Sequence, residues 1–212
     1  MNEQTQSLEA IQDIRRLMNR SSRFLSLSGL SGIAAGIWAL VGAFVAARLL
    51  APYHGRLLNT YQVREVEALI WSLLLLAGGV FALALASAFF FTWRRARRRG
   101  LPIWDRTARQ LTTNILIPLI TGGLVILWLL QLRLPVLVAP VCLIFYGLAL
   151  VNASKYTVND IRYLGVLEIL LGLINTQYLG YGLYFWALGF GLLHIVYGFI
   201  MWWKNERSDK EA

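Results

Sequence analysis

Long apolar segments separated by short polar ones occupy most of the chain. Six of these segments are predicted to be transmembrane helices, at residues 24–50, 66–93, 110–132, 134–151, 161–178 and 181–203. About 20 consecutive apolar residues cross a bilayer as a helix, and a helix satisfies its own backbone hydrogen bonds there. The predicted fold class is therefore all-α: a polytopic membrane protein with six transmembrane helices in one bundle, the domain 24–203.

Polar segments flank this six-helix domain on both sides. In residues 1–23 the apolar residues recur at helical spacing from Leu8 to Leu17, with arginines between them. This pattern predicts an amphipathic arm on the inner membrane surface. A frayed tail that ends in a charged helix start explains the same pattern, and the sequence does not decide between the two. Residues 204–212 are predicted to be a charged, mobile cytoplasmic tail.

Positive charge is concentrated on one side of the predicted membrane. The chain has 20 lysines and arginines against 11 acidic residues, a net charge of +9. With the N-terminus inside, 16 of the 20 basic residues fall in inner segments. The positive-inside rule then predicts that both termini are cytoplasmic. Short loops and the lack of a soluble domain suggest the plasma membrane of a bacterium, its inner membrane.

Five arginines directly follow the second span and are predicted to contact anionic lipid headgroups: Arg94, Arg95, Arg97, Arg98 and Arg99. A nucleic-acid partner would require a folded basic domain around them, and the sequence offers none. Membrane lipids are therefore the predicted partners, with no nucleic acid.

Small residues mark helix faces that can pack closely. In the first span, Gly32 and Gly36 form a GxxxG motif, which predicts packing within the protein or in a homodimer. The single cysteine, Cys142, allows no disulfide within the chain and no CxxC metal motif. No nucleotide-binding or zinc-hydrolase motif is present. No metal and no cofactor are therefore expected.

The last two spans each carry one ionisable residue in an apolar setting, Glu168 and His194. Such residues are costly in a membrane and usually face protein or a water-filled cavity. Because a short loop joins the two spans, they run antiparallel. Both residues then lie roughly 12–13 Å from the inner boundary, at about 1.5 Å per residue. This places them at similar depth in the inner half of the hairpin, where they are predicted to pair.

Each of these spans also has small residues on the face that carries its ionisable group. The two faces are predicted to meet: Gly165, Glu168, Gly172 and Asn175 on one span, and Ala187, Gly191, His194 and Gly198 on the other. Asn175 and Tyr197 are predicted to line the same site as the pair.

Three functions remain open at this point. In the first, the chain is a small proton- or ion-coupled transporter with Glu168 as acceptor and His194 as partner. In the second, it is a non-catalytic membrane subunit or regulator, and the pair is a structural lock between helices. The third is a lipid- or quinone-interacting enzyme. One histidine and one carboxylate suffice for acid–base chemistry, but no feature specifies a substrate, so an enzyme is the least favoured.

Overall fold

The computed structural model describes residues 28–53, 63–98, 100 and 104–205. The predicted arm 1–23, Arg99 and the tail after Asn205 lie outside the described residues. The described part is helical, with turns and links between the helices and no strand. The all-α prediction is therefore confirmed for the part of the chain that the structure covers.

Six helices correspond to the six predicted spans. The first five are α1 (Gly29–Leu50), α2 (Val63–Arg98), α3 (Arg106–Gln131), α4 (Val138–Ala153) and α5 (Asp160–Asn175). The sixth, α6, is continuous but changes type along its length. It is α-helical over Gly182–Trp186, π-helical over Ala187–Leu193 and α-helical again over His194–Asn205. Short 3₁₀ turns occur at Ala51–Tyr53, Pro135–Leu137 and Leu179–Tyr181.

Five stretches among the described residues are long and apolar enough to cross a membrane: Gly29–Tyr53, Arg64–Arg98, Arg106–Gln131, Pro135–Ala153 and Leu179–Lys204. The remaining helix, α5, has 16 residues, roughly 24 Å at about 1.5 Å per residue. It is the shortest of the predicted spans together with α4, which also has 16 residues.

The helices alternate in direction, which gives the bundle two ends. At the base end, α5 begins and α6 ends, and Lys204 Nζ lies 3.1 Å from Asp160 Oδ1. At the tip end, the Leu179–Tyr181 turn joins α5 to α6. Two close pairs, α4 with α5 and α1 with α6, dominate the packing. The outer helices pack mainly on one neighbour each, α2 on α1 and α3 on α4.

The predicted contact between the small-residue faces of α5 and α6 is wrong. A Cβ atom on Gly165 would lie 2.7 Å from the carbonyl oxygen of Gly147, so the glycine face of α5 packs on α4. A Cβ on Gly198 would lie 2.7 Å from the carbonyl oxygen of Gly29, so that of α6 packs on α1. The physical reason is that a small residue permits close approach without selecting which neighbouring helix approaches.

The GxxxG motif of α1 is used inside the protein. A Cβ on Gly36 would lie 2.6 Å from the carbonyl oxygen of Gly191 on α6. On α2, by contrast, Gly78 and Gly79 would each carry a Cβ with no other atom within 4 Å. A homodimer through small residues therefore stays a prediction, and the GxxxG face of α1 is already occupied by α6.

Candidate functional site

Glu168 and His194 meet in the interior of the bundle, near the middle of α5 and of α6. Glu168 Oε1 lies 3.4 Å from His194 Nδ1, and the two side chains are 0% and 7% exposed. The pairing expected from the antiparallel hairpin is present, although the glycines beside it pack on other helices than predicted. A carboxyl group and an imidazole thus lie side by side in the interior of the bundle.

The ring of His194 is held at both nitrogens. Nδ1 lies 3.0 Å from the carbonyl oxygen of Gly189, five residues earlier on the same helix. Because a carbonyl oxygen only accepts, Nδ1 carries the hydrogen and donates to it. In the neutral imidazole Nε2 is then the acceptor, and the Tyr146 hydroxyl, 2.7 Å away, donates to it. The site is therefore a chain of three side chains: Glu168, His194 and Tyr146.

Tyr146 is the site residue that sequence reasoning missed. It lies on α4, and the described helices bring it against His194 with ring centroids 5.3 Å apart. Phe190 lies beside both, 5.1 Å from Tyr146 and 6.1 Å from His194 between ring centroids. Trp186 continues this row of rings, 4.6 Å from Phe190. The only signal in the sequence was a tyrosine inside an otherwise apolar span, which is common and unspecific.

The carboxyl group of Glu168 has no hydrogen-bond partner among the described residues, at either oxygen. Its contact with His194 is close enough for electrostatic interaction, but the Nδ1 hydrogen is directed at Gly189. Native proteins bond nearly all their buried polar atoms, so an exception calls for an explanation. Leaving such a group unsatisfied costs about 1–3 kcal/mol.

The π-helical turn of α6 lies directly at the site. Single π-helical turns are rare and occur frequently at functional sites. Gly189 in this turn is required by space, because a Cβ there would lie 2.5 Å from Glu168 Oε2 and 2.6 Å from Leu143 Cδ2. The glycine therefore lets α6 approach close enough for His194 to reach the carboxyl group.

The two remaining predicted site residues lie apart from this chain. Asn175 is fully buried on the same face of α5 as Glu168, two turns nearer the tip end. Its amide nitrogen donates to the carbonyl oxygen of Tyr178 at 3.0 Å. Tyr197 is half-buried on α6, one turn from His194 toward the base end. Tyr146, rather than Tyr197, supplies the phenol that contacts the imidazole.

The arginine cluster at the base end of α2 is separate from this site. Arg94, Arg97 and Arg98 are exposed and Arg95 is half-buried. Arg97 lies over the ring of Trp93, 5.5 Å from its centroid. The described residues contain no group of three or more histidine, cysteine, aspartate or glutamate side chains placed to hold a metal ion.

An apolar cavity of about 180 Å³ lies on the tip side of the site. Its walls come from all the helices except α5, and they include Ala43, Val80, Val138 and Trp186. Trp186 belongs both to this wall and to the row of rings that ends at His194.

No family model matches the chain, and no curated protein or solved structure matches it. The functional conclusion therefore depends on the site itself.

Proposed function

We propose that the chain is an integral membrane protein that passes protons, as a small proton- or ion-coupled transporter, through the Glu168–His194 site. Glu168 is the proton acceptor and His194 is its partner. Tyr146 is the last of the three side chains in the row. The observation that carries this proposal is the carboxyl group of Glu168, which is fully buried and has no hydrogen-bond partner at either oxygen within the described residues.

This observation favours a proton site over a structural lock. A lock between helices gains its stability from satisfied hydrogen bonds, and interhelical bonds in membranes are worth only about 0.6 kcal/mol on average. In this site His194 is fixed by Gly189 and Tyr146, so the carboxyl group adds burial cost without a hydrogen bond. A group that must gain and lose a proton has a reason to remain unbonded.

The geometry gives the proton two places to reside. In one state Glu168 is a carboxyl beside a neutral imidazole; in the other Glu168 is a carboxylate and His194 is protonated at both nitrogens. Because Nδ1 carries its hydrogen in both states, the imidazole gains and loses its proton at Nε2, on the side of Tyr146. The gap of 3.4 Å between Oε1 and Nδ1 is slightly longer than a hydrogen bond. A small rotation of either side chain therefore makes or breaks a hydrogen bond between Nδ1 and the carboxyl group. The Tyr146 hydroxyl receives a hydrogen bond from Nε2 in the ion pair and donates one to it in the neutral pair.

The same proposal includes the placement of the chain in a membrane. Both termini are cytoplasmic in this proposal, and the base end of the bundle faces the cytoplasm of a bacterium. The charge distribution along the sequence supports this orientation. The exposed arginines at the base end of α2 then lie at the level of anionic headgroups. Large exposed apolar side chains such as Leu75 and Phe89 then face lipid.

The test is proton flux through vesicles that contain the purified protein. A potassium gradient with valinomycin sets the membrane potential, and a pH-sensitive dye inside the vesicles reports proton entry. The wild-type chain is compared with Glu168→Gln, which keeps the shape and removes the titrating group. The matched control is Glu67→Gln, the same substitution at a side chain that is 59% exposed and 3.9 Å from Arg133.

We expect wild type and Glu67→Gln to admit protons faster than empty vesicles, and Glu168→Gln to fall to the empty-vesicle rate. Equal rates for wild type and Glu168→Gln would refute the proposal. Each variant must elute from size exclusion as a single symmetric peak. A loss of proton flux then reflects the substitution and not misfolding of the protein.

A second candidate function is that of a membrane subunit or regulator. The observation in its favour is the open face of α2, where Gly78 and Gly79 would each carry a Cβ without any neighbour within 4 Å. Small residues on a membrane helix suit the close approach of a second helix, from another protein or from a second copy. Purification from native membranes tests this candidate, and recovery of the chain alone as a monomer counts against it.

A further inference from the structure

Two buried side chains of α5 have acceptor atoms without a hydrogen-bond partner in the described part of the chain: Glu168 at both oxygens and Asn175 at Oδ1. Neither side chain has any exposed surface. They are seven residues apart, which places them on the same face of the helix and about 10 Å apart along its axis. The interior between α4, α5 and α6 therefore holds two unsatisfied polar groups at two heights.

Leu143 of α4 lies between these two heights. In the antiparallel packing of α4 and α5, Gly165 lies opposite Gly147, and Gly172 lies opposite Pro140 and Ile144. Position 143 consequently falls between the levels of Glu168 and Asn175. Leu143 also has no exposed surface.

The contacts of Gly189 on α6 give the same height for Leu143. A Cβ built on Gly189 would lie 2.6 Å from Leu143 Cδ2 and 2.5 Å from Glu168 Oε2. The leucine and the carboxyl group therefore border the same point on α6, where only a glycine fits. Leu143 covers the tip side of the carboxyl group.

Small residues lie beside Asn175 on the side of α6. A Cβ on Gly182 would lie 3.9 Å from Asn175 Oδ1 and 3.1 Å from Cβ of Ala139. Ala139 is one helical turn from Leu143 on α4, so the same interior face changes from a leucine to an alanine toward the tip. The bulky side chain of Leu143 is at the middle level, and the small residues Gly182 and Ala139 lie toward the tip, at the level of the Asn175 amide oxygen.

We infer that Leu143 is the apolar barrier of a proton path that enters at Asn175 on the tip side and leads to Glu168. This inference rests on the proposed function above. Water carries the proton: Asn175 Oδ1 accepts a hydrogen bond from a hydronium ion or a water molecule, and the hydronium passes its proton to the Glu168 carboxylate. One O–H bond breaks in the hydronium, one forms in the carboxyl group, and water remains. With Leu143 in place, the tip-side half of this path is narrow, and the leucine limits the rate at which protons cross it.

A leucine narrows such a path because water needs two to four polar partners to occupy a protein interior. The interior face provides one at Asn175 and others at Glu168, and Leu143 between them provides none. Removing the branched side chain of Leu143 leaves space for water between the levels of Asn175 and Glu168.

The experiment uses the proton-flux vesicles with Leu143→Ala. The matched control is Leu148→Ala on the same helix, where the side chain is 42% exposed. We expect Leu143→Ala to raise proton entry severalfold over wild type and Leu148→Ala to leave it unchanged. Adding Asn175→Leu to Leu143→Ala returns the rate to the wild-type level, and adding Glu168→Gln returns it to that of empty vesicles. If Leu143→Ala does not purify as a single peak, Leu143→Val takes its place.

The outcomes separate the barrier from the proposed function. Unchanged flux in Leu143→Ala or Leu143→Val, with flux still lost in Glu168→Gln, overturns the barrier alone. Raised flux that persists in the double variant with Glu168→Gln also overturns it, because the protons then take another route. Equal flux in wild type and Glu168→Gln overturns the proposed function instead.

Discussion

Adding one methyl group at Gly189 tests the geometry of the whole site. In Gly189→Ala the new Cβ would lie 2.5 Å from Glu168 Oε2 and 2.6 Å from Leu143 Cδ2. Both of those side chains are fully buried, so neither moves aside into solvent or lipid. Overpacking of a well-packed interior costs about 1–3 kcal/mol. We expect Gly189→Ala to lose stability in this range and to push the carboxyl group out of reach of His194.

The measurement for Gly189→Ala is the temperature at which half of the protein is lost from the main size-exclusion peak after heating. The chain has eight tryptophans, so their fluorescence detects it without a label. The matched control is Gly78→Ala, where a Cβ would meet nothing within 4 Å. We expect a lower temperature for Gly189→Ala, an unchanged one for Gly78→Ala, and reduced proton flux for Gly189→Ala alone. If both variants match wild type in stability and flux, the close approach of α6 to Glu168 is wrong.

The remaining predictions concern the phenol and the packing of α4 on α5. Tyr146→Phe removes the hydroxyl at 2.7 Å from the imidazole and keeps the ring. We expect a loss of about 1 kcal/mol of folding stability and slower proton entry. Proton flux equal to that of wild type would exclude the phenol from the proton path. Gly165→Ala places a Cβ 2.7 Å from the carbonyl oxygen of Gly147, so we expect a loss of about 1–3 kcal/mol. Gly123→Ala is its control because a Cβ there would have open space, and equal heat stability of these two glycine variants would contradict the α4–α5 contact.

The sequence was sufficient to predict the helices and the Glu168–His194 pair. Length and apolarity determine a helix of this kind, and a short turn between α5 and α6 forces the two groups to similar heights. It was insufficient for the choice of neighbours. Gly165 and Gly198 both indicate close packing. The glycines that meet them lie on other helices than predicted, Gly147 on α4 and Gly29 on α1.

The remaining parts of the site depended on those neighbours and could not be predicted. Tyr146 becomes part of the site only because α4 packs on α5 and reaches α6, and one tyrosine among nine gives no sign of this. The π-helical turn around Gly189 lies at a crowded point, where Leu143, Glu168 and His194 come together. Hydrophobic periodicity does not contain such three-body crowding.

The shortness of α5 has an electrical consequence for the site if the chain spans a membrane as proposed. The helix has 16 residues, roughly 24 Å, against about 30 Å for the hydrocarbon core of a bilayer. A bilayer adapts to short helices by thinning around them, so the voltage across the membrane falls over a shorter distance there. A proton that reaches the middle of α5 crosses about half of that voltage, which is roughly 1 kcal/mol per 100 mV. Under the proposed function, the occupancy of Glu168 by a proton therefore depends on membrane potential as well as on pH.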